Sequence, residues 1–279
     1  MKKYVFLGIL SFSAILNPAK TQDRHFAWTY ESITLPKGSF DFEPSFIYSA
    51  GKENFYNRLF TALEFETGLT DHLQTAFYFN AVKSMAAVAD SNNLITGLSS
   101  SSSISISNEW KLNILNPSSS PVGFGLYGEY TLSAEEIEIE YKLLLDKKME
   151  KDLISYNLVG EHGFEFIFEN DGSGKGEIET EKEIKLENDL SYMHMFKPTL
   201  GLGIEIRNHN IIEKGELEFA PVFAGPTLFF STSGETGNDF FFIINALPQL
   251  TNIAGERVGK LDLEDHEKIE ARVCLGFTF

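Results

Sequence analysis

The chain has 279 residues, with 23 basic and 40 acidic side chains, a formal net charge of −17, 25 Phe, 22 Gly and a mean hydropathy of −0.12. So acidic a chain excludes nucleic acid as a partner, and the low mean hydropathy excludes a bundle of membrane helices. The single cysteine, Cys274, excludes an intramolecular disulfide and every paired-cysteine zinc spacing.

Met1-Lys2-Lys3 followed by an apolar run from Tyr4 to Leu16 reads as the basic and hydrophobic regions of a secretory leader, too short to span a bilayer itself. Pro18 breaks the run and Ala19 offers a small residue for cleavage. The expected organisation is therefore a leader over residues 1–22 and one domain over 23–279.

From Phe40 onward the chain alternates with a period of two. Phe40, Phe42, Phe46 and Tyr48 share one face of a first strand, and Leu59, Leu63 and Phe65 one face of a second, opposite Arg58, Glu64 and Glu66. After the turn at Leu69-Thr70-Asp71-His72 come Leu73, Phe77 and Phe79. The clearest run is 103–115, with Ile104, Ile106, Trp110, Leu112 and Ile114 on one face, interrupted by Asn108, and Ser, Glu109, Lys111 and Asn113 on the other. Beyond Asn116-Pro117-Ser118, Phe124, Leu126, Tyr130 and Leu132 oppose Gly123, Gly125, Tyr127 and Glu129; then Ile137, Ile139, Tyr141 and Leu143 oppose Glu138, Glu140 and Lys142. A less regular pattern predicts strands near 153–168, 178–192, 198–208, 215–232, 239–248 and 267–279.

That makes about twelve strands, each near the 9 to 11 residues that a tilted membrane strand needs. An even count puts both chain ends on one side, here the inner one, with the longer connections outside. The long segments 83–102, 170–176 and 249–266 do fall on outer connections. The expected fold is all-β: one transmembrane antiparallel barrel with short inner turns and longer outer loops. A soluble β-sandwich alternates in the same way with the faces reversed, so alternation alone does not separate the two. The leader, the even count, the one-sided loop lengths and the aromatic last strand favour the barrel.

The last strand, Ile269 to Phe279, alternates without a fault and turns Glu270, Arg272 and Cys274 inward. Terminal aromatic strands of this kind resemble the signal read by the outer-membrane assembly machinery. Tyr30-Glu31-Ser32-Ile33-Thr34-Leu35-Pro36-Lys37-Gly38, Gly68-Leu69-Thr70-Asp71-His72-Leu73-Gln74, Gly225-Pro226-Thr227-Leu228 and Leu247-Pro248-Gln249-Leu250 extend the likeness. Together they resemble an outer-membrane barrel family labelled meta-pathway phenol-degradation-like. The resemblance implies a transport-type barrel in a Gram-negative outer membrane and transfers no catalytic residue.

The alternation assigns Arg58, Glu64, Glu66, Glu129, Glu138, Glu140, Lys142, Glu205, Arg207 and Arg272 to the lumen, with Lys268 beside them. Phe40, Tyr192 and Phe279 are expected to anchor the inner interface with the bilayer, Tyr48 and Tyr130 the outer. Carboxylates in the lumen suit cations and disfavour anions, though internally paired charges would fill the barrel instead. The segments 83–102 and 249–266 are each long enough to fold inward as partial plugs or to remain surface loops. No His lies at zinc-protease spacing, and Asp171 to Gly176 lacks the spacer and hydroxyl of a phosphate loop, so neither an enzyme nor a cofactor is expected. The sequence reading is a channel or transporter for small solutes. A non-conducting barrel with a structural or surface role, or a secreted soluble β-protein binding a hydrophobic ligand, is the alternative.

Overall fold

The computed structural model describes residues 24–90, 94–170, 176–213, 216–232, 240–255 and 257–279. The predicted leader and the loop tip 171–175 lie outside them. Twelve strands form the structure. They are β1 (Phe40–Ala50), β2 (Tyr56–Thr70), β3 (Leu73–Ala89), β4 (Ile95–Leu115), β5 (Gly123–Ser133) and β6 (Glu136–Lys148). The second half comprises β7 (Asp152–Asn170), β8 (Gly176–Lys197), β9 (Leu200–Glu213), β10 (Glu216–Thr232), β11 (Phe240–Gly255) and β12 (Ile269–Thr278).

Each strand pairs antiparallel with its sequence neighbours, and β1 pairs with β12 to close the barrel. Closure matters because hydrocarbon offers no partner to an unpaired backbone group. At the seam Phe42 faces Phe277 and Tyr48 faces Ala271, and just beyond β12 the Phe279 N–H donates to Phe40 O at 2.8 Å.

The polarity of the two faces excludes the sandwich. Phe65, Phe77, Ile104 and Ile106 are each at least 55% exposed, while Glu43, Glu64, Glu66, Glu109 and Lys111 are buried. A soluble core would reverse this; a barrel in lipid requires it. Asn108 interrupts the apolar face of β4 without leaving a polar group in lipid. Its Nδ2 donates to Thr75 Oγ1 and Ala76 O on β3, and its Oδ1 accepts from Trp110 Nε1 at 2.7 Å.

The extra length on the outer side, expected as loops, is mostly paired strand. β3 and β4 run for 17 and 21 residues and β7 and β8 for 19 and 22, well beyond what crossing requires. The described parts of segment 83–102, residues 83–90 and 94–102, thus extend β3 and β4 as a paired, outward-reaching ladder and not as an inward plug. Segment 249–266 continues β11 to Gly255, and 257–268 then folds onto the outer rim, with Gln249 clasping the Asp262 backbone at 2.6 and 2.9 Å. Among the described residues, neither segment fills the barrel. The lumen is filled by the stretch before the first strand, residues 24–35.

Candidate functional site

Arg24 to Leu35 has little β pairing, so its backbone groups need partners from the barrel wall. Wall side chains supply them. The Glu205 carboxylate on β9 accepts the N–H groups of Ala27, Trp28 and Thr29 at 2.9, 2.8 and 3.2 Å. Asn157 on β7 accepts from Tyr30 N and donates to Tyr30 O, at 2.6 and 2.9 Å. Asp146 on β6 accepts from Ser32 N, and Gln74 on β3 accepts from Leu35 N. Arg24 returns to the first strands, donating to Glu43 at 2.6 Å and lying 3.7 Å from Glu64. The contacts therefore run most of the way round the inner half of the lumen.

Packing complements this polar frame. Phe26, Ala27 and Trp28 join a buried cluster with Met193, Phe223, Phe229, Phe241, Ile243, Leu247 and Cys274. On β5, Gly123 and Gly125 make room for the segment: a Cβ at Gly123 would meet Ser32 Oγ at 2.5 Å, and one at Gly125 the Ser32 Cβ at 3.2 Å.

Above the plug the lumen opens into a vestibule of about 710 Å³ with Trp28 and Tyr30 at its floor. Volumes of roughly 300–1,000 Å³ are usual for small-molecule sites. Its lining carries ten glutamates against three arginines and one lysine, with His209 and His266. Two cations press on the floor. The Arg207 guanidinium lies 3.7 Å from the Trp28 ring centre and pairs with Glu187, Glu270 and Asp189 at 2.8, 2.9 and 3.4 Å. Lys142 lies over the rings of Tyr30 and Tyr127 and pairs with Glu140 at 2.9 Å. At the rim His266 packs on Phe219, ring centres 4.7 Å apart, and burial together with neighbouring His209 pushes its pKa down to about 4.

The residues that alternation turns inward fall into three groups. Glu64, Glu66 and Glu205 lie in the filled inner half, where Glu66 accepts from Gln74 at 3.0 Å and Tyr78 OH bonds Glu64. Lys142 and Arg207 brace the floor, while Arg58, Glu129, Glu138, Glu140 and Arg272 line the vestibule. Lys268 is instead exposed at the outer rim, its N–H donating to Gly51 O. Phe40, Tyr192 and Phe279 are exposed toward the inner end, and Tyr48 and Tyr130 toward the outer ends of β1 and β5. Missing from the sequence reading is the plug itself; the inward glycines of β5 and the inward apolar residues of β10 and β11 were its signal.

Two groups of buried carboxylates, Asp41–Glu43–Glu66 and Glu64–Glu66–Glu109, bring oxygens within 4.8 Å of one another, a spacing able to hold a cation. Arg24 bonds Glu43, and Tyr78 bonds both Glu64 and Glu109, so the chain itself supplies counter-groups there.

A closed antiparallel barrel with an apolar outer belt and a charged lumen is a transmembrane β-barrel of the outer-membrane type. Within that class the chain belongs to the family of unknown function DUF6662, whose model matches residues 18–279. No curated protein matches it. Among solved structures it is similar in fold to the COG4313 outer membrane channel from Pseudomonas putida F1, with TM-score 0.53 and 12% identity over 89% of this chain and 98% of that one. The NanC porin is similar at TM-score 0.50 and 9% identity, over 85% and 98%. The β domain of the Bordetella autotransporter BrkA gives 0.53 and 7%, over 87% and 100%.

Proposed function

We propose that this protein is an outer-membrane channel for small polar solutes, closed at rest by its own N-terminal segment and disfavouring anions through its acidic vestibule. The observation that carries the reading is the division of the lumen, with a cavity open outward above a plug that is not part of the wall. A barrel built only as scaffold has no need of a separate filling element. The surplus of vestibule carboxylates lowers the energy of cations there. The polar lining, rather than the phenol-degradation label of the family it resembles, supports a polar solute.

One observation favours the second reading, a non-conducting barrel: the plug is held by several buried hydrogen bonds and would need all of them exchanged to open. Planar-bilayer recordings under a salt gradient separate the two. The purified barrel is expected to give rare, cation-preferring unitary currents, and a variant lacking residues 24–34 steady ones. Silence from both, with the variant still showing the heat-dependent gel mobility of a folded barrel, establishes the non-conducting reading. Anion preference overturns the role given to the acidic lining.

A further inference from the structure

In a vestibule with surplus carboxylates, two arginines pair with none among the described residues. Arg272 on β12 is 9% exposed, its Nε is buried without a hydrogen-bond partner, and among the described residues its guanidinium has no ion pair; its ring contact is Trp28, at 5.2 Å. Arg58 on β2 is likewise without an ion pair and lies 5.8 Å from the Phe60 ring. Both line the vestibule, on the two strands flanking β1, where Ser49 pairs with Arg58 and Ile47 with Arg272. The acid beside Arg272 on the same strand is engaged elsewhere: Glu270 pairs with Arg207 at 2.9 Å. A buried guanidinium without an acceptor is unfavourable unless something else supplies one.

The opposite wall has the opposite imbalance. Six steps round the twelve-strand order from β1 stands β7, and there Glu165 pairs across from Glu136 of β6, with Glu138 on the same face. None of these three carboxylates has an ion pair or side-chain hydrogen bond among the described residues. Lys185, the nearby cation, is taken by Glu161 at 2.5 Å and Glu183 at 3.1 Å. Like charges directly opposite in a sheet repel. Unmatched positive and negative walls thus face each other across the cavity.

We propose that the vestibule binds a small zwitterion, its carboxylate held by Arg58 and Arg272 and its ammonium group by Glu138 with Glu136 and Glu165. The inference rests on reading the vestibule as the solute-binding part of the barrel. A simple cation satisfies one wall and leaves Arg272 without an acceptor; a simple anion does the reverse. A zwitterion with its charges apart satisfies both, which reconciles the arginines with an acidic lining.

Calorimetry on the purified full-length barrel in detergent tests this, using 6-aminohexanoate, hexanoate and hexylammonium at matched ionic strength. The zwitterion is expected to bind about tenfold more tightly than either singly charged analogue. Arg272→Gln and Glu138→Gln should each weaken its binding about tenfold while keeping heat-dependent gel mobility, with Arg58→Gln as the second arginine variant should Arg272→Gln fail to fold. Binding of hexylammonium or hexanoate as tight as the zwitterion's, no binding of any of the three, or unchanged affinity in the arginine variants overturns the proposal. Because binding is read without a membrane, a conducting barrel that binds no zwitterion defeats this inference alone, and one that binds but never conducts defeats the channel reading alone.

Discussion

The Glu205 carboxylate accepts the backbone N–H of Trp28 at 2.8 Å, so a wall residue takes the place of a partner strand for the plug. The same carboxylate serves Ala27 and Thr29 and accepts from Asn245 Nδ2 at 3.2 Å. Glu205→Ala strands these buried donors, at a cost of about 1–3 kcal/mol for each that water does not reach. The plug should leave more often, giving more frequent bilayer currents and protease cleavage within 24–35 while the barrel keeps its heat-dependent mobility. Glu205→Gln, which retains a carbonyl acceptor, should show a smaller effect. Unchanged currents and protection in Glu205→Ala would mean that packing around Phe26 holds the segment.

A covalent lock makes the complementary prediction. The hydroxyls of Thr29 in the plug and Ser191 on β8 are hydrogen-bonded, so these two side chains are the natural pair at which to try a cystine between plug and wall. In a Cys274→Ala background, Thr29→Cys with Ser191→Cys is expected to abolish currents when oxidised and regain them on reduction. Wild-type currents from the oxidised form would show that ions bypass the segment.

How far the sequence disclosed this arrangement differs between wall and filling. The run at 103–115 shows a strand because one face meets lipid and the other a polar lumen, and such runs place all twelve strands. The pattern weakens toward β10 and β11 for a physical reason: Phe223, Phe229, Phe241, Ile243 and Leu247 point inward against Phe26 and Trp28, so both faces are apolar. The plug has no period at all. Its partners are set by three-dimensional proximity, as with Trp28 Nε1 and Asn245 Oδ1, 217 residues apart. Alternation likewise turned Arg207 and Arg272 inward but could not say that, among the described residues, the first meets three carboxylates and the second none.

His266 makes the rim segment 257–268 sensitive to acid. Its ring sits against Phe219 and near Phe223 and His209; His209 and Lys52 disfavour its protonation, and Asp262 and Glu187 favour it less strongly than burial opposes it. The docked pKa of about 4 lies below the ordinary 6.5, so the undocked segment takes the proton first. Docking is therefore strongest above pH 6.5 and weakens as pH falls toward 4. The slope is at most about 1.4 kcal/mol per pH unit, less for a partly exposed ring. A dye on Lys260→Cys should gain mobility across that interval, and His266→Phe, which keeps the ring contacts, should remove the transition. An equally steep transition in His266→Phe would assign it to another group.

Phe40 and Phe279 are symmetric in the folded barrel: each gives its N–H to the other's carbonyl, at 3.4 and 2.8 Å, and they are 54% and 58% exposed at the same depth. A carboxylate near the interface costs a barrel roughly 0–1 kcal/mol, so Phe40→Asp and Phe279→Asp should refold in vitro with similar, small losses. Assembly in cells breaks the symmetry if the closing strand β12 is read by the assembly machinery. Phe279→Asp should then leave much less folded barrel in membranes than Phe40→Asp, measured by heat-dependent gel mobility of membrane fractions. Phe277→Asp, next on the lipid face and stacked on Phe42 with ring centres 6.4 Å apart, should in addition lose stability in vitro. Equal membrane yields for the two symmetric variants would mean that Phe279 matters only as one half of the seam.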